Sequence, residues 1–134
     1  MAALTAPRNT LQRVGSPAFP VKAATTVHQG SLVVLDAGYL APGRTAVGLI
    51  AAGLAEASGT AVAAGDVSVP ARPGTFKFAN HAADAIARAD VGADCYIVDD
   101  QTVAKTNGGN THSRAGKVVD IDADGVWVSI GLGQ

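Results

Sequence analysis

The apolar positions of this chain fall in many short runs that either alternate with polar residues or stop at a turn signal. Ser31-Leu32-Val33-Val34-Leu35 is β-branched and largely apolar, ends at Asp36-Ala37-Gly38, and reads as a strand. Phe19–Ala23 forms a shorter run ahead of it, while Tyr39–Thr45, with Pro42-Gly43, reads as a turn-rich link. Val47–Ala55 suits helix or strand by hydrophobicity alone. Its internal glycines, Gly48 and Gly53, each cost a helix about 1 kcal/mol relative to alanine, which favours a strand packed closely on its neighbour.

The clearest alternation follows, with Val67, Val69 and Ala71 apolar between Ser68, Pro70 and Arg72. Proline has no N–H for a ladder, so this strand is expected at an edge or paired on one side only. Pro73-Gly74 then reads as a tight turn into Thr75–Ala79, making a hairpin with Phe76 and Phe78 on one face. Asn80–Ala89 is the helix candidate: Asn80 is a capping residue, and Ala82, Ala83, Ile86 and Ala89 recur at helical spacing over two or three turns. Asp94–Val98 and Thr102–Thr106 form a second hairpin around Asp99-Asp100-Gln101, and Asn107-Gly108-Gly109-Asn110 is a loop. Ala115–Ile121 and Val126–Ile130 form a third hairpin across Asp122-Ala123-Asp124-Gly125, whose Asp-Gly step is expected to supply positive φ angles. The pattern predicts a mainly β domain over 18–134, a small β-barrel or β-sandwich of short antiparallel strands with one short helix. Residues 1–17, punctuated by Pro7, Gly15 and Pro17 and without apolar period, read as an extended N-terminal arm that is either mobile or ordered against a partner.

Composition changes this picture in one respect. Apolar residues make up 48% of the chain, but much of that is alanine, and aromatics are only 4%. Large buried side chains contribute about 1.5–3 kcal/mol each and alanine far less, so the core is thin and further burial between subunits is expected. The net charge of −1 gives no global field towards nucleic acid or membrane. Its distribution is uneven: before Asp36 stand Arg8, Arg13 and Lys22 with no acid, whereas Asp84, Asp90, Asp94, Asp99 and Asp100 face a lone Arg88. Such an arm and patch either meet between neighbouring subunits or lie as ordinary solvated surface.

No constellation of residues points to catalysis. Cys95, the single cysteine, lies in an apolar run and reads as a buried, inert thiol. His28, His81 and His112 lie in turn-rich segments without metal-ligand spacing. Asp120, Asp122 and Asp124 precede Gly125 as in a calcium loop, but the bidentate glutamate such a loop needs is missing, since Glu56 is the only glutamate. Asp99-Asp100 lacks a matched acid–base partner, Ser113 beside His112 lacks a nucleophile elbow, and no phosphate-binding glycine motif occurs. No cofactor is expected. The N-terminus has no long apolar segment, so neither a signal peptide nor a membrane span is expected.

The stretch Asp90-Val91-Gly92-Ala93-Asp94-Cys95-Tyr96-Ile97-Val98-Asp99-Asp100-Gln101-Thr102-Val103 resembles small head proteins of tailed phages, the capsid cement or decoration proteins of Mu-like type. Arg114–Ile121, Gly125–Val128 and Gly30–Asp36 are similar to the same family, so the resemblance spans roughly 18–130. It implies a non-catalytic virion protein that binds the outer surface of the head and stabilises it. The implied partners are the major capsid protein and further copies of the chain, a trimer being favoured; no direct nucleic-acid or membrane contact is implied. Within the arm, Leu4, Arg8, Leu11 and Arg13 are the candidate capsid or subunit contacts. The alternative is a carbohydrate- or host-surface-binding β-domain, which needs an exposed aromatic platform, with Tyr39 and Trp127 as candidates.

Overall fold

In the computed structural model, residues 2–13 and 15–132 are described; Gly133 and Gln134, the end of the expected domain, lie outside the described residues. Seven strands come first: β1 (Ala18–Pro20), β2 (Thr25–Val27), β3 (Leu32–Asp36), β4 (Tyr39–Pro42), β5 (Ile50–Ala55), β6 (Gly59–Ala61) and β7 (Ser68–Arg72). Five of them form an antiparallel sheet in the order β1-β7-β5-β3-β4, while β2 pairs with β6. A parallel bridge from Val21 to Leu40, with the Lys22 N–H on the Leu40 carbonyl at 2.9 Å, ties the chain after β1 to the far strand β4. The remaining strands are β8 (Gly74–Asn80), β9 (Asp94–Ile97), β10 (Thr102–Ala104), β11 (Arg114–Asp122) and β12 (Gly125–Ile130). They close into a barrel in the order β10-β8-β12-β11-β9, antiparallel except between β8 and β10. The mainly β reading holds, and the barrel alternative is the one realised.

Two apolar clusters fill these layers. The smaller lies inside the first sheet and is built from Val21, Val27, Val33, Leu40, Val69 and small alanines. The larger fills the barrel with Phe78, Ile86, Cys95, Ile97, Val103, Val126, Val128 and Ile130, and takes in Leu32 and Val34 from the first sheet and Leu49 from the loop before β5. β3 therefore serves as a shared wall. Successive side chains point to opposite faces, so Leu32 and Val34 enter one cluster and Val33 the other, which explains a run apolar at every position.

Several elements differ from the sequence expectation, each for a local reason. Tyr39–Pro42 is a strand, not a link: Ala37 and Gly38 take φ of 50° and 89° and turn β3 directly into β4, with Asp36 opposite Tyr39. Pro73-Gly74 makes no hairpin. β7 and β8 are separated by Pro73 alone and belong to different sheets, so the chain crosses once from sheet to barrel. Pro70 does not lie on an edge strand, because β7 sits between β1 and β5. The two neighbours use different stretches: β1 covers Ser68–Pro70 and β5 covers Ala71–Arg72, so the missing N–H falls where the ladders change over.

Asn80–Ala89 forms two short 3₁₀ turns, Ala82–Asp84 and Arg88–Asp90, in place of one helix. Asn80 bonds both backbone groups of Ile86, each at 2.9 Å, and so pins a loop whose one large apolar side chain is buried in the barrel. Ala82, Ala83 and Ala89 remain exposed, leaving a helix no apolar face to bury. The β11–β12 hairpin forms as expected, yet neither Asp124 nor Gly125 has positive φ. Gly125 is required for closeness: a Cβ there would stand 2.7 Å from the Lys77 Cε and 2.9 Å from the Phe78 carbonyl oxygen on β8. Gly53 meets the expectation of close packing, since its Cβ would fall 2.5 Å from the Arg72 carbonyl oxygen.

Candidate interaction surface

The folded body pairs its own cations. Lys22 and Arg44 both reach Asp36, at 2.7 and 2.9 Å, and Arg72 faces Glu56 at 3.7 Å. Around the barrel, Lys77 pairs with Asp122 and Asp124, Arg88 with Asp120, Lys105 with Asp90, and Arg114 and Lys117 with Asp94. Every lysine and arginine from Lys22 onward thus has a carboxylate. The hydrogen bonds from Lys22 and Arg44 hold the Asp36 carboxyl below its ordinary range, and those from Arg114 and Lys117 do the same for Asp94.

The carboxylates that invited a functional reading are occupied in the same way. Asp122 accepts the Trp127 indole N–H at 2.8 Å and the Lys77 ammonium at 3.0 Å, and both lower its pKa. Asp120 takes the Ile121 N–H and the Arg88 guanidinium, each at 2.8 Å. Asp84 lies near the loop after β10, where the Thr106 hydroxyl and N–H hold it ionised at 2.6 and 2.9 Å. The alternating Asp120, Asp122 and Asp124 therefore brace a hairpin. Among the described residues, no group of three or more histidine, cysteine or acidic side chains is placed to hold a metal ion.

Ser113 has a structural part, donating to the Ala46 carbonyl at 2.7 Å and accepting the Leu49 N–H at 3.0 Å. These bonds join the barrel to the loop before β5. Burial pushes the Cys95 thiol up to about 12, as an enclosed apolar site demands. Neither aromatic candidate offers a bare platform. Lys77 lies over the Trp127 ring at 5.8 Å, and Asp122 takes its N–H. Tyr39 is 39% exposed and stands at the β3–β4 turn without a second aromatic ring.

The arm is the reverse of the body. Its root is held: the Pro17 carbonyl accepts the Ala71 N–H at 3.0 Å, and the Ser16 hydroxyl donates to Glu56 at 3.1 Å. Beyond it, residues 2–13 have no regular structure and are exposed, with Leu4 at 70% and Leu11 at 91%. Among the described residues, Arg8 and Arg13 are the arginines without a carboxylate. The four predicted contact residues therefore share one exposed segment, with no common pocket on their own body.

A surface groove was not anticipated from the sequence. One stretch, about 310 Å³, is lined by Gln29, Gly30, Leu54, Ala55, Glu56 and Arg72, and starts where Ser16 meets Glu56. A second cleft, about 180 Å³, is lined by His28, Gln29, Gly30, Ser31, Asp100 and Gln101 and so adjoins the first at Gln29 and Gly30. The Leu32 N–H on the Asp100 carbonyl, at 2.8 Å, fixes the β9–β10 turn against β3 at that end. Asp99 caps the Gln101 N–H at 2.9 Å, and neither Asp99 nor Asp100 faces a cation among the described residues. The legible signal was the Asp99-Asp100 pair, but its position beside Gly30 depends on the packing of the barrel on the first sheet.

The fold defines a class, a closed five-stranded barrel packed on an antiparallel sheet, with an exposed basic arm at the sheet's end. No family model, curated protein or solved structure matches the chain.

Proposed function

We propose that this chain is a non-catalytic structural protein that binds the outer surface of a phage head and stabilises it, as a cement or decoration protein acting in several copies, a trimer being favoured. The major capsid protein is the partner, and the virion is where the chain works. The observation that carries this reading is the contrast between body and arm. The body pairs each of its cations and leaves no buried side-chain polar atom without a partner among the described residues, whereas Leu4, Arg8, Leu11 and Arg13 are held out unpaired. A body so satisfied needs no further ligand for stability, and its exposed arm suits a lattice of repeated contacts. Many weak contacts then add by avidity. Among surface-binding alternatives, carbohydrate recognition is disfavoured by the covered Trp127 ring.

The test is co-sedimentation with purified heads lacking the protein, comparing the full chain with a chain starting at Gly15. Saturable binding by the full chain, reduced at least tenfold by the truncation, is the expected result. Failure of the full chain to bind heads overturns the reading.

A further inference from the structure

We infer that the surface between Glu56 and Asp100, with its two clefts that share Gln29 and Gly30, is a docking site for the N-terminal arm of a second copy of this chain, with Arg13 seated against Asp100. The inference rests on the reading of the chain as a structural protein acting in several copies, and names which surfaces meet. Three observations carry it.

The first is charge. Among the described residues, Arg8 and Arg13 are the arginines left without a carboxylate, and Asp100, which lines the far cleft, is a carboxylate without a cation. The other lysines and arginines are paired within the chain. The second is shape: the two clefts share Gln29 and Gly30 and so lie side by side on one surface. An extended segment spans about 3.3–3.6 Å per residue, so the five-residue step from Arg8 to Arg13 covers roughly 17 Å of that surface and brings one of the two arginines to Asp100. The third is direction. The register of β1 on β7 sets Ala18 opposite Pro70 and bonds Pro17 to Ala71, which sends the chain outward past Arg72. Residues 2–13 then make no hydrogen bond to their own body, and are presented to a neighbour.

The experiment uses the full chain in solution without heads. Arg13→Cys copies are mixed with Asp100→Cys copies under mild oxidation, and the products are resolved by mass after labelling one variant with a heavy isotope. Cys95 stays out of the exchange because it is buried. A disulfide-linked pair containing one labelled and one unlabelled chain, at least fivefold above either self-pair, is expected. A parallel pair of variants reads the charges: Arg8→Glu with Arg13→Glu should lower self-association at least tenfold at low salt, and Asp99→Arg with Asp100→Arg in the same chain should restore it.

Absence of the mixed pair overturns the inference, as does a chain carrying both cysteines that closes only within itself. Trp127 fluorescence verifies that each variant is folded. Head binding that survives without the mixed pair would sink this inference and leave the decoration reading standing, whereas a mixed pair in a chain that ignores heads would do the opposite.

Discussion

The two halves of the body reach closure by different means. The first, residues 18–72, has a core of valine, leucine and alanine, and its sheet is drawn round only by the bridge between Val21 and Leu40. The second, residues 74–130, is a barrel closed by continuous strand pairing, with Phe78 and four isoleucine- or valine-bearing strands inside. The barrel also carries most of the ion pairs and the single tryptophan. The difference teaches that a thin apolar supply can be stretched by sharing. Leu32 and Val34 of the first half complete the barrel's core, so neither half owns all of its interior.

The strongest way to break this comparison is to remove the shared wall. Leu32→Ala deletes a fully buried side chain at the junction, and a loss of about 2–5 kcal/mol is expected. Trp127 fluorescence, which reports the barrel, and far-ultraviolet circular dichroism, which reports both halves, should follow one denaturant transition. Two separated transitions would show that the halves stand alone. A smaller effect is expected from Ser113→Ala, which leaves the Leu49 N–H and the Ala46 carbonyl without their partner. It should cost about 1–3 kcal/mol in the same titration, and Ser113→Thr, which keeps the hydroxyl, should recover part of it. An unchanged midpoint for Ser113→Ala would remove that joint from the account.

The smallest effect separates the halves by charge. Asp84, Asp94, Asp120 and Asp122 on the barrel half, against Asp36 alone on the first, are held below the ordinary carboxylate range. A depressed folded pKa gives stability that is present above the unfolded value of about 3.9 and is lost as pH falls through the folded one. On the alkaline side, the bonds from Asp124 and Asp122 raise Lys77, and burial raises Cys95. Their contributions are complete below the unfolded values of about 10.4 and 8.5 and fade as pH rises through the folded ones. The melting temperature should therefore decline at both extremes, modestly for such exposed pairs, with the acid limb flattened by salt. A salt-insensitive acid limb would assign it to something other than these ion pairs.

Short-range features of the fold were readable in the chain. The β9–β10 and β11–β12 hairpins and the β3 run follow from alternation and turn residues that act between neighbours. The errors arose where distant packing decides. Pro73-Gly74 has turn chemistry, but β8 finds a better partner in β12, so the chain passes straight from one sheet to the other. Gly125 has turn chemistry beside Asp124, whereas its need is room for Lys77 and Phe78, which no local pattern displays. The arm was legible because it lacks a period. The groove was not, since Glu56, Gly30 and Asp100 meet only after both halves have packed.

The single crossing at Pro73 has a mechanical meaning. β1 lies antiparallel on β7, and β7 runs on into β8 with one residue between them. A pull on the arm therefore acts at the end of the ladder where Pro17 meets Ala71, the same end from which β7 leaves for β8, so it peels the hydrogen bonds in turn instead of loading them together. Beyond Pro73 the backbone enters a strand clasped on both sides by β12 and β10. An arm under tension would therefore strain the weakly closed first half before the barrel, whose closure does not include β1.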